Sequence, residues 1–111
     1  MERLVLIGTQ DFDLNVFNNL TYAEGIKCYI VSDMEVQIRR GDDIIKIEPV
    51  NKIINQYDDR AREKIPYENP KVLMISYSSK DFVLEVISNN GLPKGLYYDD
   101  FEKIVPLDEL F

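Results

Sequence analysis

Hydrophobic residues along this chain fall into three kinds of pattern. Two runs, Leu4-Val5-Leu6-Ile7 and Val72-Leu73-Met74-Ile75, are unbroken. A strand with one wet face alternates apolar and polar side chains, so an unbroken run predicts a strand covered on both faces, at the heart of a sheet. Met34–Arg39 and Ile45–Glu48 do alternate, and Gly41-Asp42 between them is a turn signal. Together they predict a hairpin with one wet face and with Arg39, Arg40, Asp42 and Asp43 near its tip.

A third set recurs at helical spacing. Leu14 with Phe17, and Val16 with Leu20, predict a helix over 13–23, with Asp11 or Asp13 as N-cap and Gly25 past its end. Ile26–Val31 is rich in β-formers, so the first strand, this helix and the next strand would make one βαβ unit with a right-handed crossover. Val50, Ile53, Ile54, Tyr57 and Ala61 predict an amphipathic helix over 50–64, started by Pro49 and ended by Ile65-Pro66. Ser78 and Asp81 fit a capping box ahead of a helix over 80–89 whose apolar face is Phe82, Val83, Val86 and Ile87, stopped by Asn89-Asn90-Gly91. Leu96-Tyr97-Tyr98 and Lys103-Ile104-Val105 predict two short strands, and Leu107, Leu110 and Phe111 could dock on the core. The order β-α-β-β-β-α-β-α-β-β predicts an α/β or α+β fold, a mixed β-sheet with about three packed helices, in one domain spanning 1–111.

Charge changes this picture. Asp and Glu number 20 against 13 Lys and Arg, a net charge of −7. Affinity for nucleic-acid phosphate and for anionic lipid comes from Lys and Arg, so neither partner is expected. Arg39, Arg40, Arg60, Arg62 and Lys64 are interleaved with Asp42, Asp43, Asp58, Asp59 and Glu63, so no basic stripe forms. A single cysteine, Cys28, excludes an internal disulfide, and no apolar run nears the roughly 20 residues of a membrane span. With no leader-like N-terminus, the expected address is the cytoplasm.

Candidate chemistry is sparse. The chain has no His, so a Ser-His-Asp or Cys-His arrangement cannot form within it, and one Cys makes structural zinc improbable. No metal or cofactor is expected. Cys28 reads as a small hydrophobe within a strand. The pairs Asp42-Asp43, Asp58-Asp59, Asp99-Asp100 and Asp108-Glu109 are adjacent residues, which diverge on any regular element and read first as solvated surface. An enzyme would need converging carboxylates, and Asp11 with Asp33 is the one pair the predicted topology brings together.

The densest aromatic and acidic cluster is Tyr97-Tyr98-Asp99-Asp100-Phe101-Glu102. An aromatic anchor ringed by carboxylates suits a basic protein. The leading expectation is therefore a non-enzymatic acidic protein-binding module, an inhibitor or immunity-type protein by analogy of size and charge alone. Tyr97, Tyr98, Asp99, Asp100 and Glu102 would carry it, with Asp42 and Asp43 second. The alternative is a small-molecule or anion sensor at the carboxyl ends of the strands, lined by Thr9, Gln10, Ser78, Ser79 and Lys80. The competing reading of Ser78, Ser79, Asp11 and Asp13 is plain helix capping. An exposed edge strand leaves a homodimer open as well.

Overall fold

A computed structural model describes residues 1–88 and 91–110. Among these, seven strands form one sheet: β1 (Glu2–Gly8), β2 (Lys27–Ser32), β3 (Glu35–Arg40), β4 (Asp43–Pro49), β5 (Lys71–Tyr77), β6 (Tyr97–Asp99) and β7 (Ile104–Pro106). Three α-helices accompany them: α1 (Asn15–Asn18), α2 (Asp59–Arg62) and α3 (Lys80–Ile87). The element order is the expected one, with two 3-10 helices added at Asn51–Gln56 and Leu107–Leu110. The expected stop at Asn89-Asn90 and the docking of Leu110 and Phe111 lie outside the described residues and side chains, whereas Leu107 is buried in the core.

The spatial order is β2-β3-β4-β5-β1-β6-β7, and every pairing is antiparallel. The α+β form of the expectation is the one realised. β1 and β5, the two unbroken apolar runs, lie side by side, with Leu4 opposite Ile75 and Leu6 opposite Leu73. Leu4, Leu6, Leu73 and Ile75 point to one face and join α3 through Phe82, Val83, Val86 and Ile87. Val5, Ile7 and Val72 point to the other face and meet Ile54 and Ile65. Both faces of the central strands are thus covered, the physical reason their sequences do not alternate. Farther out, β3 and β4 are covered on one face only, where Val36, Ile38, Ile45 and Ile47 are buried, and their alternation reflects it.

The βαβ unit is corrected. β1 and β2 run in the same direction but sit four places apart, so residues 9–26 cross over β5, β4 and β3 rather than leading to an adjacent parallel strand. Phe12, Leu14, Phe17 and Leu20 bury against the sheet on that path, so the helical spacing reported burial correctly. The helix itself is only α1, because the Tyr22 hydroxyl donates to the Phe17 carbonyl and Asn19 ends the turn. The helix over 50–64 is likewise divided. Its first half is the 3-10 helix, anchored to β5 where the Val72 N–H donates to the Asn51 side chain at 2.9 Å. Tyr57 is extended, and the Asp58 carboxylate accepts from the Ala61 N–H at 2.8 Å to start α2.

One close approach fixes the start of the crossover. A Cβ on Gly8 would lie 2.7 Å from Phe12 and 2.8 Å from Leu96, so only glycine fits where the chain leaves β1. α3 is capped by Ser79, whose hydroxyl accepts from the Phe82 N–H at 3.3 Å. Ser78, expected in that role, instead accepts the Ile44 N–H at 2.9 Å and ties β5 to β4.

Candidate functional site

β6 and β7 pair only through Tyr97–Asp99 and Ile104–Pro106, leaving Asp100–Lys103 as a four-residue loop at one end of the sheet. Two aspartates shape this loop. Asp99 is 6% exposed, and a buried carboxylate is costly unless its oxygens are satisfied. One oxygen accepts the Tyr57 hydroxyl at 2.6 Å, and the other accepts the Phe101 N–H at 2.8 Å. Asp100 accepts from the N–H groups of Glu102 at 3.0 Å and Lys103 at 3.1 Å. The result is a left-handed Phe101, φ 73°, whose side chain is 56% exposed. Left-handed backbone is unfavourable for a residue with a Cβ, by roughly 1–2 kcal/mol. The ring is thus held out by the loop rather than packed into the core.

Tyr57 and Asp99 also floor a cleft of about 380 Å³ bordered by Arg60, Lys64, Phe101 and Lys103. Burial, the hydrogen bond to Asp99 and the charge of Asp99 all push the Tyr57 phenol far above its ordinary value. The phenol therefore keeps its proton at any physiological pH and works as a fixed donor that clasps the loop, not as a proton shuttle.

The other face of the same sheet end is acidic. Glu2 lies directly across from Tyr77 in the β1–β5 register. Burial first, then the carboxylates of Glu2 and Asp100, push the Tyr77 phenol up. Alternation puts Asp43 on this face too, two residues before buried Ile45, which pairs with Tyr77. β4 and β6 are three strand spacings apart, roughly 14 Å, so Asp43, Glu2 and Asp100 span the width of a small interface. Asp42 is exposed at the hairpin tip beside Gly41, and Glu102 is exposed beside Phe101. Arg40 is drawn away from this set: it pairs with Glu85 of α3 at 2.6 Å and covers the Phe82 ring at 4.8 Å. The slight burial of Asp100 would raise its pKa, but the N–H groups of Glu102 and Lys103 outweigh it and hold the carboxyl below its usual range.

The residues expected to bind a partner are thus brought to one end of the molecule, in different roles. Asp100, Glu102, Asp42 and Asp43 reach the surface, whereas Tyr98 and Asp99 are buried. Tyr97 is half-buried and packs edge-on against Tyr67, with ring centroids 6.3 Å apart. Tyr98 lies opposite Leu6 and is 6% exposed, so the pleat sends it into the main core. The aromatic group actually presented is Phe101. Its signal was legible in hindsight: Asp-Asp ahead of an aromatic and Glu is a sequence of side chains that bond their own backbone two residues on.

The residues of the sensor alternative are separated. Gly8 pairs with Lys71 and Glu2 with Tyr77, so Thr9 and Gln10 leave one end of the sheet while Ser78, Ser79 and Lys80 leave the other, roughly 20–25 Å away along the strands. Asp33 borders a cleft of about 310 Å³ with Gln10, Asp13 and Lys71, and Asp11 is not among its lining residues. Among the described residues, no three Cys, Asp or Glu side chains are grouped to hold a metal ion, and no helix is long and apolar enough to cross a membrane. Cys28 lies partly buried beneath Tyr22, and burial pushes its thiol up, consistent with a packing residue.

The chain is therefore an α+β domain built on one antiparallel seven-stranded sheet among its described residues, with an acidic end and a strained aromatic loop. Comparison with family models, with curated proteins and with solved structures finds no match to it.

Proposed function

We propose that this protein is a non-enzymatic acidic binding module that captures a more basic protein through the β6–β7 loop and the acidic end of the sheet, in the manner of a small inhibitor or immunity protein. The observation that carries the reading is Phe101, more than half exposed and held left-handed by two aspartates. An anchor already fixed in its binding conformation loses little freedom on association, and buried aromatic anchors dominate interface energies. Glu102 beside the ring, and Glu2, Asp43 and Asp100 on the other face of the same sheet end, would add charge that speeds encounter with a basic surface and disfavours acidic ones.

The test is capture from the native cell by the tagged full chain, with bound proteins identified by mass spectrometry and their affinity then measured by calorimetry. A basic partner whose affinity falls at least about tenfold with Phe101→Ala, and falls again with Glu102→Lys, supports the reading. A partner indifferent to both changes removes it.

A further inference from the structure

The end of the sheet opposite the Phe101 loop holds a cleft that the reading above does not use. It lies where β1 and β4 finish and β5 begins, with Gly8 paired to Lys71 and Pro49 to Leu73. The turn between β2 and β3 reaches it through Asp33, and the crossover after β1 reaches it through Asp13. Its volume is about 310 Å³. Clefts that hold small molecules start at roughly that size, about 300 Å³.

Two carboxylates and one ammonium share this space without meeting. Asp13, Asp33 and Lys71 all line the cleft. Lys71 is partly buried, yet among the described residues neither it nor either aspartate makes an ion pair. A cation partly withdrawn from water favours a counter-charge, and a ligand carrying both signs would supply one to each side of the gap. Neighbouring polar groups are already held in place. One Asp13 oxygen accepts the Asn15 N–H at 2.9 Å, which leaves the other oxygen to accept. Asn51 gives its side-chain oxygen to the Val72 N–H at 2.9 Å, which leaves its NH2 group to donate. Buried Phe12 and Leu73 back the cleft with apolar surface.

We propose that this cleft binds a free basic α-amino acid, of the arginine or lysine kind. The ligand carboxylate meets Lys71 and the Asn51 NH2 group, and its two cationic groups meet Asp13 and Asp33. The count of charges selects this class. The cleft offers two acids and one base, and a basic amino acid offers two cations and one carboxylate. A neutral amino acid leaves one aspartate unmatched, an acidic one brings a like charge to it, and a diamine is repelled by Lys71.

Calorimetry of the full chain with L-arginine, L-lysine, L-leucine, L-glutamate and agmatine, the decarboxylated analogue of arginine, tests this. Arginine or lysine should bind with Kd about 1 mM or tighter, and leucine and glutamate at least about fivefold more weakly. Asp33→Asn, at an exposed turn position, should weaken arginine and agmatine alike by about fivefold. Lys71→Met, with unchanged circular dichroism, should erase the advantage of arginine over agmatine, because only arginine carries the carboxylate. Phe101→Ala should leave arginine binding unchanged, since that ring lies at the other end of the sheet. The proposal is overturned if no basic amino acid gives heat at about 10 mM, or if leucine or glutamate binds as well as arginine. Arginine binding that ignores both Asp33→Asn and Lys71→Met, or that depends on Phe101, would overturn it equally.

Discussion

At the scale of single residues, Phe101 and Asp99 divide the work of one loop. Phe101 contributes exposure and strain; Asp99 contributes the hydrogen bonds that maintain the strain. The two should respond to mutation in opposite ways. Replacing a core phenylalanine by glycine would cost several kcal/mol. Phe101→Gly should instead leave stability within about 1 kcal/mol of wild type, because the relief of left-handed strain offsets the added freedom of the unfolded chain. Urea denaturation measures this, and a large loss would show that the ring packs rather than presents. Asp99→Ala should cost about 1–2 kcal/mol, since it removes the acceptor of the half-buried Tyr57 hydroxyl and frees the loop. The same variant should lose partner binding even though Asp99 itself is out of reach, which separates a residue that positions the anchor from the anchor itself.

Elements show where local pattern and tertiary contact diverge. Helical spacing at Leu14, Phe17 and Leu20 identified buried positions. At Val50, Ile53, Ile54 and Tyr57 it identified side chains packed on the cluster of Val5, Ile7 and Val72, of which Ile54 is buried, though Ala61 joins neither buried cluster. Each segment nonetheless forms only short helical pieces. Spacing reports which side chains face the core, while continuity of the helix depends on backbone groups that here find other partners. Phe17 gives its carbonyl to Tyr22, and Asn51 gives its side chain to Val72. The entry to the first of these segments is the most constrained point. Gly8→Ala would drive a methyl into Phe12 and Leu96, and an expected cost of about 1–3 kcal/mol should appear as a lower urea midpoint with an unchanged slope. α3 is the exception, formed as expected, because its apolar face and its cap act together. Ser79→Ala should cost about 1 kcal/mol through loss of that cap.

For the whole molecule, the distribution of ionisable groups makes a pH prediction. Tyr22, Tyr57 and Tyr77 all have phenols raised above the ordinary value, in each case by burial first. A folded pKa above the unfolded one adds stability that is complete below the unfolded value, near 10, and is lost as pH rises beyond it toward the folded pKa. Stability should therefore fall steeply above about pH 10, and these three tyrosines should ionise only as the chain unfolds. Ultraviolet titration followed alongside circular dichroism checks it; full phenolate absorbance in the folded state would contradict it. Asp100 has the opposite sign. Its lowered pKa adds stability above the unfolded carboxylate range that is lost as pH falls through the folded value, and the loop should loosen in acid before the sheet does.

From the sequence alone came the elements, their order, and the doubly covered centre of the sheet, because burial on one face or two is written in the alternation of neighbouring side chains. Strand direction and adjacency are not, since a strand looks the same whether its neighbour runs with it or against it; contacts across the fold placed β1 against β5 and sent β2 to the margin. That placement decided the geometry of the proposed site as well. It drew Glu2, Asp43 and Asp100, distant in sequence, to one end, parted Thr9 and Gln10 from Ser78–Lys80, and turned Tyr98 inward. Phe101 was left as the exposed ring, because two carboxylates accept the N–H groups of Phe101, Glu102 and Lys103 and hold the turn that carries it.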